Sequence, residues 1–331
     1  MYYEQKENLY PFLFMGCWNK EGAERNAVLA AIKKEPGEPL LVLGGDNAYP
    51  DKGKGKGPDK GKHFLYSEVK AGIRLLPDRL LVALGNHNVD PHPVAGAPEG
   101  STILNVERDL FGPALPSPYY CVVCKDKRAL VIVDTNLLAE DAEKDTMLDW
   151  LEKTLARLKK SGHTYYLVQH EPFFSLKPPK KAGLRVTQVP NGTDLLDRMA
   201  AYPPIAVLCA DTHNYQEWDL TYGDMTVRQI VVGTGGASPD PVPELRDMPA
   251  NYSAEGTPFS SIRNRTKGHR ILGYGFYRLD SDLESAFHLV RPWPPGLLRL
   301  RAKSVRAISN IKYLTRPKAR RTVKRSVNEL D

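Results

Sequence analysis

Short unbroken apolar runs alternate along this chain with stretches whose apolar residues recur every three or four positions. That alternation predicts strands separated by helices. Leu40, Leu41, Val42 and Leu43 form the clearest run, of the length and character of a strand buried on both faces. Similar runs occupy residues 11–15, 80–84, 165–168 and 205–208. Between the first two, residues 21–34 place Ala27, Val28, Ala31 and Ile32 on one side of a helix that Pro36-Gly37 ends. This βαβ start implies a parallel pair with a right-handed crossover. Helices are also expected over 67–76, 143–160 and 194–201; the second carries Met147, Leu148, Leu151, Leu155 and Leu158 on one stripe. Residues 119–123 and 129–134 read as two further strands. The β-rich segments 226–233 and 273–280 suggest a second sheet packed on the first. Residues 89–118, with six prolines, and 234–270 read as long loops.

The residues just after the five runs matter as much as the runs themselves. They are Gly16-Cys17-Trp18-Asn19, Gly44-Gly45-Asp46-Asn47-Ala48-Tyr49, Gly85-Asn86-His87-Asn88, Gln169-His170-Glu171 and Cys209-Ala210-Asp211-Thr212-His213. Glycine after an apolar run lets the backbone turn sharply at a strand's carboxyl end. In open α/β sheets that edge is where ligands bind. Five successive strand ends rich in Cys, Asp, Asn, His and Tyr bring metal-ligand side chains to one rim.

Composition narrows the setting. At 331 residues the chain has room for one large α/β domain with a substantial core, and no apolar run reaches the ~18 residues of a membrane span. The first residues lack a basic start followed by an apolar stretch, so an intracellular, by default cytoplasmic, location is expected. Four scattered cysteines do not make a disulfide framework, and Cys121 and Cys124 read as buried thiols on opposite faces of a strand. The net charge of +7 resides in the tail: from residue 291 onward 12 Lys/Arg stand against 2 Asp/Glu, leaving residues 1–290 at −3. The expected organisation is therefore a domain over 1–290 and a partly helical basic tail over 291–331. For residues 297–331 three readings stand: a helix docked on the domain with a solvated end, a site for an acidic partner or nucleic acid, or one for an anionic membrane surface. Residues 51–63 interleave five lysines with glycines and read either as a solvated loop or as a device by which Lys52, Lys54 and Lys56 draw in an anionic substrate.

The ordered set of blocks resembles that of the calcineurin-like metallophosphoesterases, and within them the small, tartrate-resistant type of purple acid phosphatase. That family reads G-D-W-G, G-D-N-x-Y, G-N-H-[DE], V-x-G-H-H/Y-P and C-G-H-D-H-N-x-Q at these places. The stretches at 115–120, 131–136 and 148–155 add to the likeness, which covers roughly residues 11–280. The resemblance implies an α/β fold, a four-layer α/β/β/α sandwich of two mixed sheets flanked by helices. It implies hydrolysis of phosphoesters, most of all phosphomonoesters of a small molecule or protein, by water activated between two metal ions such as Fe, Zn or Mn. Carried over by position, Asp46 bridges the metals, Tyr49 and His213 bind the first, and Asn86 and His170 bind the second. Asn86 and His87 contact the phosphate, with His87 the catalytic proton donor.

Two ligand positions depart from the family: Cys17 replaces an aspartate and Asp211 a histidine. Both residue types bind metals, Cys17 making the first site softer and Asp211 giving the second more charge. The other reading is that Cys17 is inert, Asp211 caps a turn, and the protein is a weak or inactive phosphatase-like scaffold docking through its basic tail.

Overall fold

Every residue of the Phe12–Met15, Leu40–Gly44 and Tyr120–Val123 strands is buried, as unbroken apolar runs require. The computed structural model describes residues 1–4, 7–52, 62–89, 94–139, 141–177, 185–240, 251–266, 273–282 and 284–292. The side chain of Lys52, all of Lys54 and Lys56, and the tail at 297–331 lie outside the described residues.

The chain is mixed α/β, with two large mixed sheets, two small ones and five α-helices among the described residues. The five-stranded sheet runs, edge to edge, Ser285–Pro292, Gly273–Leu279, Phe12–Met15, Leu40–Gly44, Leu80–Ala83. Its last three strands are parallel, with Phe14 opposite Val42 and Val42 opposite Leu81. The nine-stranded sheet has a parallel centre of Arg128–Ile132, Thr164–Val168, Ala206–Cys209 and Met225–Val232. Tyr215–Tyr222, Ser261–Asn264 and Asn251–Tyr252 extend one side, and Tyr120–Val123 and Tyr2–Glu4 the other.

Alternate residues of the nine-stranded sheet enter different hydrophobic clusters, as a two-residue repeat dictates. Tyr120, Val122, Leu130, Ile132, Tyr166, Val168 and Leu208 pack with the five-stranded sheet. Cys121, Val123, Val131, Tyr165, Leu167 and Val207 pack with Met147, Leu148, Leu151, Leu155 and Leu158 of α4 (Asp141–Ser161) and with Leu195, Leu196 and Met199 of α5 (Gly192–Ala200). Helix α1 (Ala23–Ile32) buries Val28, Leu29 and Ile32 in the first cluster and lies against Gly273–Leu279 and Ser285–Pro292. Helix α2 is Tyr66–Ile73. Cys121 and Cys124 fall in opposite clusters, and burial pushes each thiol up to about 12. No helix among the described residues is long and apolar enough to cross a membrane.

Two expectations are corrected. Met225–Val232 and Gly273–Leu279 do not make a second sheet together: the former pairs with Ala206–Cys209, the latter with Phe12–Met15. The five metal-ligand strand ends are accordingly divided, three on one sheet and two on the other. Long-range pairing decides this, and strand composition carries no record of the partner. The stretch 89–118 holds a helix, α3 (Ile103–Phe111), because its prolines flank those residues. Thr102 caps the helix by accepting from the Asn105 backbone N–H at 3.2 Å.

The α4 stripe sets a stability expectation. Leu151, fully buried, should cost about 2–5 kcal/mol when replaced by alanine, whereas Lys153→Ala on the exposed face should change stability by less than about 0.5 kcal/mol. Urea unfolding of both variants checks this.

Candidate metal centre

The carboxyl ends of the two sheets meet where Gly16 N–H donates to Val232 O at 2.9 Å, and within the five-stranded sheet Cys17 N–H donates to Gly45 O at 3.0 Å. Two glycines permit the approach. Gly45 has φ +92°, and a Cβ there would strike the His170 imidazole and the Gly85 backbone; a Cβ on Gly85 would strike Asp46. Cys17, Asp46 and Asp211 themselves take left-handed backbone, with φ of 53°, 52° and 51°. Such conformations in non-glycine residues each cost on the order of 1–3 kcal/mol and persist where the surroundings over-determine them.

Within this junction Cys17, Asp46 and His213 place one potential ligand atom each within 4.8 Å of one another. The Nδ1–H of His213 donates to Ser238 O at 2.8 Å, leaving Nε2 for the site. That Nε2 lies 3.4 Å from the Tyr49 hydroxyl, which Cys17 and Asp46 border. Burial first, and then the Asp46 charge, push the Cys17 thiol well above its ordinary value; burial and the charges of Cys17 and Asp46 do the same to Tyr49. Both keep their protons until a cation makes ionisation favourable. The residues therefore fit a cation at this position: one carboxylate, one imidazole, one thiol and a phenol, all converging.

Beside them, His170 is completely buried; its Nδ1–H donates to Gly44 O at 2.7 Å. Its Nε2 faces Asn86 Oδ1 at 3.2 Å and Asp46 Oδ1 at 3.3 Å. Two acceptor oxygens against one imidazole nitrogen call for a positive centre, a proton on Nε2 or a cation among the three. Burial opposes charge on His170, but the Asp46 carboxylate outweighs it and raises the imidazole to about 9. Burial likewise opposes ionisation of Asp46, yet His170, His87 and the His87 N–H donated to Oδ1 at 3.1 Å hold its carboxyl well below the usual range. The His87 ring stands half-buried, 5.0 Å from that of Tyr49.

Asp211 is placed differently. Its carboxylate lies 2.6 Å from Lys177 Nζ and is outside the Cys17–Asp46–His213 group. Lys177 thus borders the site, although nothing in its sequence context separates it from neighbouring lysines. Glu107 was equally hidden, lying in a stretch that read as loop. From α3 its Oε2 accepts the Asn47 amide at 3.3 Å, while Asn47 takes the Trp18 indole N–H at 3.1 Å and donates to Ala83 O at 3.0 Å. One buried carboxyl therefore ties α3 to the loop that carries Asp46.

No family model matches the chain, and no curated protein sequence matches it. Solved structures do. Purple acid phosphatase PPD1 from yellow lupin (Lupinus luteus) seeds aligns over 85% of this chain and 50% of its own, with TM-score 0.51 and 16% identity. GAP50, the anchor in the inner membrane complex of Plasmodium, aligns over 86% and 89%, with TM-score 0.45 and 11% identity. PhoD aligns over 86% and 70%, with TM-score 0.46 and 11% identity. The chain spans half the length of the lupin enzyme, and the likeness to that enzyme is one of fold, a mixed α/β scaffold.

Burial pushes Glu107 up to about 8, with Asn47 and Asn88 pulling the other way. Between its unfolded value and that figure the folded chain holds a proton the unfolded chain releases, so its contribution to stability falls as pH rises. Glu107→Gln removes this dependence. Its stability relative to the unsubstituted protein should rise by up to about 1.4 kcal/mol per pH unit between pH 5 and 7, measured by urea unfolding.

Proposed function

We propose that this protein is a metal-dependent phosphoesterase, acting most readily on phosphomonoesters, with its reaction centre at the junction of the two sheets. The observation that carries the reading is the convergence of Cys17, Asp46 and His213 within 4.8 Å, beside Tyr49, from three strand ends on two sheets. The lupin enzyme's fold supports it. In its finer form the proposal takes residues 1–290 as a four-layer α/β/β/α sandwich and 291–331 as a basic appendage.

A cation held by Cys17, Asp46, Tyr49 and His213 would polarise a phosphoryl oxygen and make water a better nucleophile at neutral pH. The chain's own groups then divide the remaining work. Asp46 sits between the two histidine-bearing loops and orients both. His170, anchored through Nδ1 to Gly44 O, keeps Nε2 on Asp46 and Asn86. Asn86, exposed at the rim, is available to a phosphate oxygen. His87, half-buried with its backbone tied to Asp46, is placed to give a proton to the leaving oxygen. Lys52, Lys54 and Lys56 would raise the local concentration of an anionic substrate. The Lys177–Asp211 ion pair favours one second reading, a phosphatase-like scaffold with little turnover that docks through residues 297–331.

The 331-residue protein loaded with Zn²⁺ or Mn²⁺ is expected to hydrolyse p-nitrophenyl phosphate. Asp46→Asn should abolish turnover, and His87→Ala should lower kcat by about 10²–10⁴-fold. Turnover that survives both changes, or none with any metal, would overturn the enzyme reading. With Co²⁺ in the site, a thiolate-to-metal absorption band should appear and be lost in Cys17→Ser.

A further inference from the structure

The strand Ser175–Lys177 is bolted to the segment that carries Asp211 and His213. Ser175 Oγ and Thr212 Oγ1 share a hydrogen bond of 2.6 Å, with both residues fully buried. One residue on, the Gln216 side chain grips Leu176 from both sides: Leu176 N–H donates to Gln216 Oε1 at 2.9 Å, and Gln216 Nε2–H donates to Leu176 O at 2.7 Å. Lys177 follows Leu176 directly, and Asp211 directly precedes Thr212. The Lys177–Asp211 contact is therefore built in from both partners, unlike that of a surface lysine which happens to find a carboxylate. The two side chains are only 12% and 15% exposed. An ion pair so far removed from water is costly to break, because either charge left alone is poorly solvated.

The position of the pair gives it a role. Lys177 is within electrostatic reach of Cys17 and Glu171, and Asp211 within reach of His170. The carboxylate expected to complete a second metal site is thus already neutralised by an ammonium group. Asp46, Asn86 and His170 remain, bringing one negative charge that the Cys17–Asp46–His213 group also uses. A second dication would have to stand on this shared charge with a fixed ammonium nearby, so the residues present do not fit it.

We infer that this chain binds one cation where the resemblance implies two, and that the Lys177 ammonium group, held in position by Asp211, contacts the phosphoryl oxygens of the ligand where the second cation would stand. The inference rests on the phosphoesterase reading and deepens it. Lysine binds phosphate as a point charge, so it can take up this electrostatic task without any ligand geometry of its own.

The test has two measurements on the 331-residue protein. In the first, the chain is saturated with Zn²⁺ or Mn²⁺, desalted, and its metal counted by elemental analysis; one equivalent per chain is expected. In the second, affinity for inorganic phosphate is measured by calorimetry on the metal-loaded protein. Lys177→Gln should weaken it tenfold or more with the metal count unchanged, and Lys177→Arg should recover most of the loss. Two equivalents in the unsubstituted protein would overturn the inference while leaving the phosphoesterase reading intact, as would unchanged phosphate affinity in Lys177→Gln. A chain that takes up no metal would overturn the phosphoesterase reading itself.

Discussion

The carboxylate of Asp46 is the constraint around which this molecule is arranged. A buried anion is tolerable only when hydrogen bonds and opposite charge replace the water it has lost. Here the compensation comes from the His87 backbone and the His170 imidazole, on two different loops and two different sheets. The approach of those loops needs residues without side chains at 45 and 85 and left-handed backbone at 46. The sharp ending of each apolar strand is thus a consequence of where one charge has to sit.

Charge balance also explains how the junction differs from a simple cluster of acids. Two negative groups, Asp46 and Asp211, are each matched by a basic neighbour, His170 and Lys177. Cys17 and Tyr49 are held neutral by burial beside Asp46. A thiolate and a phenolate would therefore become available beside the Asp46 carboxylate only as a cation arrived, which would couple metal binding to proton release. The pair at 177 and 211 stands outside that coupling, since its ammonium and carboxylate groups already face each other at 2.6 Å.

Beneath the junction lies a second tier that carries no exposed chemistry. Trp18, Asn47 and Glu107 hydrogen-bond in sequence through the interior, linking the ends of the Phe12–Met15 and Leu40–Gly44 strands to α3. Glu107 ends this chain of donors and acceptors with a buried carboxyl, which burial keeps protonated at neutral pH. Buried hydrogen bonds of this kind help hold loops within the tolerance of about 0.5 Å that converging ligands require.

How much of this was legible in the sequence depends on which interactions are local. The apolar runs at 40–43 and 165–168 and the stripe from Met147 to Leu158 determined strands and a helix by themselves, because burial on one or two faces imposes its own period on a chain. The polar strand endings determined which side chains had ligand chemistry. Tertiary structure alone decided that Met225–Val232 and Gly273–Leu279 belong to different sheets, since strand pairing is settled by distant partners. It alone turned Asp211 toward Lys177 and brought Glu107 beneath Asn47. Those contacts span 34 and 60 residues, and no local pattern marks one lysine or one glutamate among many as the partner.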